Sequence, residues 1–193
     1  HCAINGAVHA FGPHVKELAS MHGGTDVAVF YSAPRPEDVK GKKVAVLVFD
    51  GVNDKPLQET LDLLARHGIH SMLLGPSSAP VVSAGKQSIK VAGMIKGEPS
   101  IAFDAVLVPD GSDVVTCVLG SGDAKHYLYE AYKHLKTIVL MGAAARLAEA
   151  LSLEADAGLM SGPSLSVLEQ DFIAALKAHR TWSREPAANA IPA

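Results

Sequence analysis

The sequence predicts an α/β fold, a three-layer sandwich in which a mostly parallel sheet has helices on both faces. Continuous β-branched and aliphatic runs, such as VAVLVFD at 44–50, have the composition of strands that are buried on both faces. Runs of this kind alternate along the chain with amphipathic segments of helical period. This alternation is typical of a parallel sheet that is covered on both sides.

The first crossover unit is predicted between residues 44 and 75. A strand at 44–50 is followed by a helix at about 54–67, whose leucines share one face. Gly68 ends this helix, and a second strand follows at 69–75. Strand, helix and strand within about thirty residues form one right-handed unit.

The second half of the fold repeats this alternation. Residues 76–100 hold short strand fragments separated by Gly, Pro and Ser, which predicts a hairpin-like excursion. The strand pattern resumes at 102–111. A helix at about 123–135 then leads into a strand at 137–141, and an amphipathic helix over 164–179 closes the fold.

Three parts are predicted along the chain: an arm and linker at 1–40, one domain at 41–186 and a tail at 187–193. The chain opens on HCAING, without an initiator Met or a charged-then-apolar signal segment. We therefore expect the arm, with a short strand at 27–31, to come from a preceding domain of a longer protein. The sequence leaves the compartment open.

Composition excludes several classes of function. The formal charge is −3, with Lys and Arg dispersed, so no basic stripe for nucleic acid is present. No run approaches the ~20 apolar residues of a membrane span. The two cysteines, Cys2 and Cys117, make neither a disulfide framework nor a metal-binding spacing. We predict no nucleic-acid, membrane or metal partner.

The most informative stretch is KTIVLMGAAARLAEA at 136–150. It joins a buried strand to an alanine-rich helix at Gly142, which is the frame of a nucleophile elbow. The position of the nucleophile is occupied by Gly142, which has no side chain. The sequence therefore predicts a binding or stabilising module rather than an enzyme.

Three stretches carry a family resemblance: VKGKKVAVLVFDG, GDAKHYLYEAYKHLKTIVLMG and DFIAALKAHRTWSRE. They resemble the PfpI superfamily of flavodoxin-like, class I glutamine-amidotransferase-like domains. Within it the chain is most similar to the C-terminal domain of large-subunit haem catalases, over roughly 40–186. The resemblance implies a homotetrameric parent that dismutes hydrogen peroxide, with haem in the parent and no cofactor in this domain. The implied partners are the catalase body and the other subunits.

The resemblance also implies site positions. Active members of the superfamily place an acidic residue shortly after the first strand, where Asp54 stands here. They carry Cys at the elbow, often followed by His, where this chain has Gly142 and Ala143. They tend to show Gly-Gly after the third core strand, where this chain has Asp110-Gly111. These departures imply that protease, deglycase or amidotransferase activity was lost. Asp54 is then expected to be an exposed acid that stabilises the first turn of a helix.

Other chemistry-bearing side chains are given structural interpretations. Cys117 is expected to be a buried, inert thiol, with redox sensing as the alternative. The histidine pairs His67/His70 and His126/His134 lack the spacing of about four that one helix face needs to hold a metal. The resemblance places the haem-ligating tyrosine in the catalase body, so three tyrosines are expected to pack or face a partner: Tyr127, Tyr129 and Tyr132.

A cluster near the end of the chain is the candidate interface: His179, Arg180, Trp182 and Arg184. Trp and Arg are enriched at interface hot spots, which favours docking between subunits or domains. The alternative is a final helix that Trp182 holds against its own sheet.

Three functions follow from these observations. The preferred hypothesis is a non-catalytic accessory domain that contributes stability and assembly to a large-subunit catalase. A holdase-type chaperone for unfolded clients is the second, and it requires an exposed apolar patch. The least favoured is a hydrolase or glyoxalase that uses another nucleophile, such as Ser112 or Ser121.

Overall fold

A computed structural model describes residues 38–191 of the chain. The predicted strand at 27–31, Cys2 and most of the predicted arm lie outside the described residues. Within them, six strands form one sheet in the order β5-β2-β1-β6-β7-β8, and every neighbouring pair is parallel. These strands are β1 (Lys43–Leu47), β2 (His70–Gly75), β5 (Gly93–Met94), β6 (Ala105–Val108), β7 (Thr137–Met141) and β8 (Leu159–Gly162).

The helices cover both faces of this sheet, as the sequence predicts. One face is covered by α1 (Asp54–Arg66) and α5 (Glu169–Ala178). The other face packs against four helices: α2 (Val114–Gly120), α3 (Gly122–Lys133), α4 (Arg146–Ala150) and α6 (Glu185–Ala190). The flavodoxin-like three-layer α/β sandwich is thereby confirmed.

Alternation along β1 explains the continuous apolar run of the sequence. Ala45 and Leu47 belong to the core on the α3 side, whereas Val44 and Val46 belong to the core on the α1 side. All four side chains are fully buried. A strand that is covered on both faces has no position left for a polar residue, so its sequence shows no polar alternation.

The excursion at 76–100 contains the predicted hairpin, formed by β3 (Val81–Val82) and β4 (Ser88–Ile89). The structure also differs from the prediction in several elements. The excursion ends in β5, which rejoins the main sheet beside β2. Both β8 and α6 were absent from the prediction. The last long helix begins at Glu169 rather than at 164, because residues 165–167 form a turn.

Candidate functional site

The predicted elbow lies at the carboxyl edge of the sheet, where β7 ends at Met141. Gly142 follows with a φ of +54°, a left-handed conformation that glycine adopts at low cost. A short 3₁₀ turn, Gly142–Ala145, then leads into α4. The strand-to-helix bend therefore has the backbone of an elbow, with a glycine at its tip.

Asp110 fills the space in front of that glycine. Its Oδ1 accepts a hydrogen bond of 2.7 Å from the Ala143 N–H, and its Oδ2 accepts one of 2.6 Å from Asn53 Nδ2. A Cβ built on Gly142 would overlap the Asp110 carboxylate and lie 2.7 Å from the Asp110 Cβ. The carboxylate thus occupies the volume that the side chain of a nucleophile would need.

The Asp110 carboxylate also occupies the backbone N–H that acts as a catalytic hydrogen-bond donor in a hydrolytic elbow. In hydrolytic elbows, the N–H of the residue after the nucleophile helps to stabilise the oxyanion of the intermediate. Here that N–H belongs to Ala143 and is bonded to Asp110. The recess beside Asp110, between β1 and the start of α2, is too small for a water-sized molecule. Among the described residues, Gly142 thus supplies no side chain at the elbow tip, the Ala143 N–H is bonded to Asp110, and the recess beside Asp110 is filled.

Of the four residues predicted at the elbow, Asp54 is hydrogen-bonded to the β3–β4 hairpin instead of to the elbow. It begins α1, and its carboxylate accepts a 2.9 Å bond from the Gly85 N–H in the β3–β4 hairpin. Hydrogen bonding by the Ser83 hydroxyl, together with the Gly85 N–H, lowers the pKa of Asp54. The structure therefore brings Gly142, Ala143 and Asp110 together, and ties Asp54 to the hairpin.

The alternative nucleophiles have other bonds. Ser112 Oγ donates to the neighbouring Asp113 carboxylate at 2.9 Å. Ser121 is the N-cap of α3, where its Oγ accepts from the Ala124 N–H at 3.2 Å. Cys117 lies on α2 and is half-buried rather than buried. Burial and the nearby Asp113 carboxylate raise the pKa of its thiol, which disfavours the reactive thiolate.

The histidines and tyrosines named from the sequence do not converge. His67 Nε2 lies 2.7 Å from Glu169 Oε1 and joins the end of α1 to the start of α5. The other three histidines of the two pairs are exposed: His70, His126 and His134. Within residues 38–191, no three His, Cys, Asp or Glu side chains come together as a metal site. Tyr129 is half-buried, and the hydroxyl of Tyr127 is buried without a partner among the described residues.

Arg184 corrects the predicted interface. The prediction places it on the surface, but its side chain is fully buried. Its Nε and Nη2 donate to the two carboxylate oxygens of Asp156 at 2.6 and 2.7 Å, and its Nη1 donates to the Lys136 carbonyl at 2.7 Å. The guanidinium also lies 4.4 Å from the centre of the Tyr132 ring. Arg184, and not Trp182, holds the end of the chain against the sheet.

Lys136 is a second buried cation, which the sequence analysis did not single out. It immediately precedes β7, its side chain is buried, and its Nζ donates to the carbonyls of Ile101 and Phe103. Burial, reinforced by the positive charge of Arg180, lowers its pKa to about 8. The only sequence signal for the burial of Lys136 was its position directly before a run of apolar residues. A lysine at the start of a strand is usually exposed, so this signal did not indicate burial.

The lowered pKa makes domain stability depend on pH. An unfolded lysine has a pKa of about 10.4, so between pH 8 and pH 10.4 the unfolded chain binds more protons at this position than the folded one. Stability contributed at this site therefore rises with pH through that window. We expect wild type to gain on the order of 1–3 kcal/mol over Lys136→Met between about pH 7.5 and 10.

Urea denaturation of both proteins across this pH range measures the effect. The comparison cancels the contributions of the tyrosines, which titrate alike in both proteins. A difference in unfolding free energy that stays flat or falls with pH would contradict the assignment.

The other members of the predicted interface are at the surface. Trp182 is 65% exposed, and the turn before it is fixed by a 2.9 Å bond from the Thr181 N–H to the Leu135 carbonyl. His179, which ends α5 with a φ of +67°, has its Nδ1 3.6 Å from Asp104 Oδ1. Arg180 Nη1 donates to the His179 carbonyl at 3.0 Å. The alternative in which Trp182 holds the last helix against the sheet is wrong.

Comparison with known proteins finds similarity over most of the chain. Residues 40–186 match the family described as the C-terminal domain found in long catalases. Catalase HPII of Pseudomonas putida is 40% identical over 160 residues, which cover 83% of this chain and 22% of that protein. Catalase-B of Dictyostelium discoideum is 34% identical over 157 residues, covering 81% and 23%. The chain thus spans about a fifth of the length of these curated relatives.

Solved structures show the same fold. Drosophila melanogaster DJ-1beta superposes with a TM-score of 0.62 at 14% identity, over 76% of this chain and 95% of that one. The VC2308 protein superposes with a TM-score of 0.52 at 18% identity, over 55% of each chain. In the part of the chain that the structure describes, no helix is long and apolar enough to cross a membrane.

Proposed function

Because the chain belongs to the family of C-terminal domains found in long catalases, we propose that it is a non-catalytic accessory domain of such an enzyme. Its role is to contribute stability and assembly, while the dismutation of hydrogen peroxide takes place at the haem of the parent's body. The length of the curated relatives supports this division, since about four-fifths of each lies outside the matched region. The catalase body and the other subunits are its proposed partners.

The filled elbow is the observation that carries the proposal. Three features of an active site are replaced together: Gly142 has no nucleophile, Asp110 occupies the space before it, and the Ala143 N–H is bonded to that carboxylate. The substitutions at Gly142 and Asp110 are complementary, because the missing side chain makes room for the carboxylate. A bend stabilised in this way serves the fold and leaves nothing for covalent catalysis.

Two of the three tyrosines of α3, Tyr127 and Tyr132, do not fit haem ligation. The Tyr132 hydroxyl donates to the Glu154 carbonyl at 3.2 Å, and its ring is covered by Arg184. The Tyr127 hydroxyl is enclosed by the core, which raises the pKa of this phenol above its ordinary value. An iron-bound phenolate needs an open face and a lowered pKa. We therefore propose that haem is held by the parent's body.

The absence of catalysis is tested on the chain itself. We expect the purified chain to release no more oxygen from hydrogen peroxide than buffer alone, and to leave the visible spectrum of added haemin unchanged. A haem catalase under the same conditions provides the positive control. Peroxide turnover, or a saturable haem spectrum, would overturn the non-catalytic assignment.

The accessory role is tested in the long catalase. Removal of this domain is expected to lower the midpoint of heat inactivation, because a domain that docks only on the folded body stabilises it by mass action. Activity per haem at 25 °C is expected to be retained. An unchanged midpoint together with unchanged assembly would contradict the role. The holdase and hydrolase hypotheses remain sequence-based predictions, because the names of the relatives reported above do not mention such activities and the described contacts of Ser112 and Ser121 do not favour them.

A further inference from the structure

A surface at the amino edge of the sheet has a feature that the fold does not explain. Trp182, the chain's only tryptophan, is 65% exposed, and Ile101 is 61% exposed. Both are attached to the turn between α3 and β7: the Thr181 N–H bonds to the Leu135 carbonyl, and the Ile101 carbonyl accepts from Lys136 Nζ at 3.0 Å. We call the residues around this turn the amino-edge surface: Ile101, His179 and Trp182, which are exposed, and Arg180, which is half-buried.

Hydrogen bonds hold the backbone of the amino-edge surface. Trp182 opens a 3₁₀ turn that ends at Arg184, whose guanidinium makes three hydrogen bonds in the interior. The carbonyl of Ile101 is fixed by a buried ammonium group. Large side chains on a backbone that is already fixed lose less conformational freedom on binding than side chains on a flexible backbone, which favours their use as anchors.

The charge at this surface is positive. Within residues 38–191, Arg180 takes part in no ion pair. Burial is the main cause of the lowered pKa of both Lys136 and His179, and the positive charge of Arg180 is the second cause. Asp104 is already engaged by Lys42 at 3.4 Å and by the Lys43 N–H at 2.9 Å. A complementary partner therefore offers an apolar recess for Trp182 beside a carboxylate for Arg180.

The path of the chain indicates which partner this is. The described domain is entered at the same edge, through Lys42 and Lys43, and Asp104 contacts both this entry and His179. The matched family lies at the C-terminus of long catalases, so the body of such an enzyme precedes the entry point. The entry point of the described domain, at Lys42 and Lys43, and the amino-edge surface thus lie at one end of the domain.

We infer that the amino-edge surface docks onto the haem-carrying body of the parent catalase, with Trp182 as the apolar anchor and Arg180 paired with a carboxylate of the body. This inference rests on the proposed function. The domain then stabilises the body through a contact at its amino edge. The carboxyl edge of the sheet, which carries the filled elbow, lies outside that contact.

Radiolytic hydroxyl-radical footprinting of the long catalase tests this inference. Oxidation of the peptide containing Trp182 is expected to be at least about fivefold slower in the long catalase than in this chain alone, because docked anchors are desolvated. Val167, on the loop after β8 at the opposite edge and 67% exposed, is the matched reference and should react alike in both. Equal oxidation of Trp182 in the two proteins would overturn the docking.

A variant pair completes the test. Trp182→Ser in the long catalase is expected to raise the rate of proteolytic release of the domain about tenfold, and Val167→Ser less than twofold. Urea denaturation of the 193-residue chain with each substitution shows whether the domain itself stays folded. Equal release rates for the two variants, or a dimer of the chain alone with Trp182 protected, would contradict docking on the body.

The two proposals fail in different ways. The docking inference alone is contradicted if the long protein binds haem and turns over peroxide while Trp182 stays accessible. A long protein with neither haem nor peroxide turnover would sink the proposed function, and the docking inference with it.

Discussion

Replacing Arg184 with methionine lowers the free energy of unfolding by about 3–5 kcal/mol, the range found when one partner of a buried ion pair is removed. Methionine keeps most of the apolar stem but leaves the Asp156 carboxylate without the two bonds from the guanidinium. It also leaves the Lys136 carbonyl without its partner. Urea denaturation of the chain measures the loss.

The matched control is Arg180→Met, four residues earlier. Arg180 bonds only to a backbone carbonyl among the described residues, so a change within about 0.5 kcal/mol is expected. If Arg184→Met lowers the free energy of unfolding no more than Arg180→Met does, the stabilising role of the buried Arg184–Asp156 pair is contradicted.

The loss at Arg184 also has a pH signature. Burial alone would raise the pKa of Asp156, but hydrogen bonds from Arg184 and from the Gly158 N–H outweigh it and lower the pKa. A lowered carboxylate pKa stabilises the fold above the unfolded value of about 3.9, and this stabilisation is lost as the pH falls through the folded value. The difference between wild type and Arg184→Met should therefore be largest at neutral pH and shrink in acid.

Restoring a cysteine at the elbow is the second substitution with a large expected effect. Gly142→Cys places a side chain where the Asp110 carboxylate lies, at a φ of +54°. The left-handed conformation costs a residue other than glycine about 1–2 kcal/mol, and displacing Asp110 breaks its bonds to Ala143 and Asn53. We expect a total destabilisation of about 2–4 kcal/mol, measured by urea denaturation under reducing conditions.

A double-mutant cycle with Asp110→Gly isolates the overlap. Removing the carboxylate makes room for the thiol, so the double variant should be about 1–3 kcal/mol more stable than the sum of the single changes. Gly120→Cys is the control, because a Cβ at Gly120 meets nothing within 4 Å. Additive effects at 110 and 142 would show that the two positions do not compete for space.

The sequence predicts the layered fold well because the signal is local. Strands buried on both faces must be apolar throughout, so the runs that become β1 and β7 stand out, and the leucines on one face identify α1. By contrast, β8 has only four residues, LMSG, and contains neither a long apolar run nor a β-branched residue. The six-residue α6, with a proline at its second position, is equally hard to recognise.

The candidate site was predictable in part. Family resemblance brings Gly142, Ala143 and Asp110 together as departures from an active pattern, but position alone does not reveal that one departure fills the space left by another. The burial of Arg184 was not predictable, because Asp156 is 28 residues away and arginine is rarely buried. Pairings over such distances become visible only when the sheet brings their elements together.

The buried ion pair between Arg184 and Asp156 has a consequence for where the domain can be truncated. The last long helix that covers the sheet ends at Ala178, and a truncation designed from the long elements alone would stop there. Such a shortened polypeptide would lack the guanidinium that neutralises Asp156 beneath the strand at Leu159–Gly162. The smallest version able to fold independently is therefore expected to extend at least to Arg184, six residues beyond the end of the last long helix.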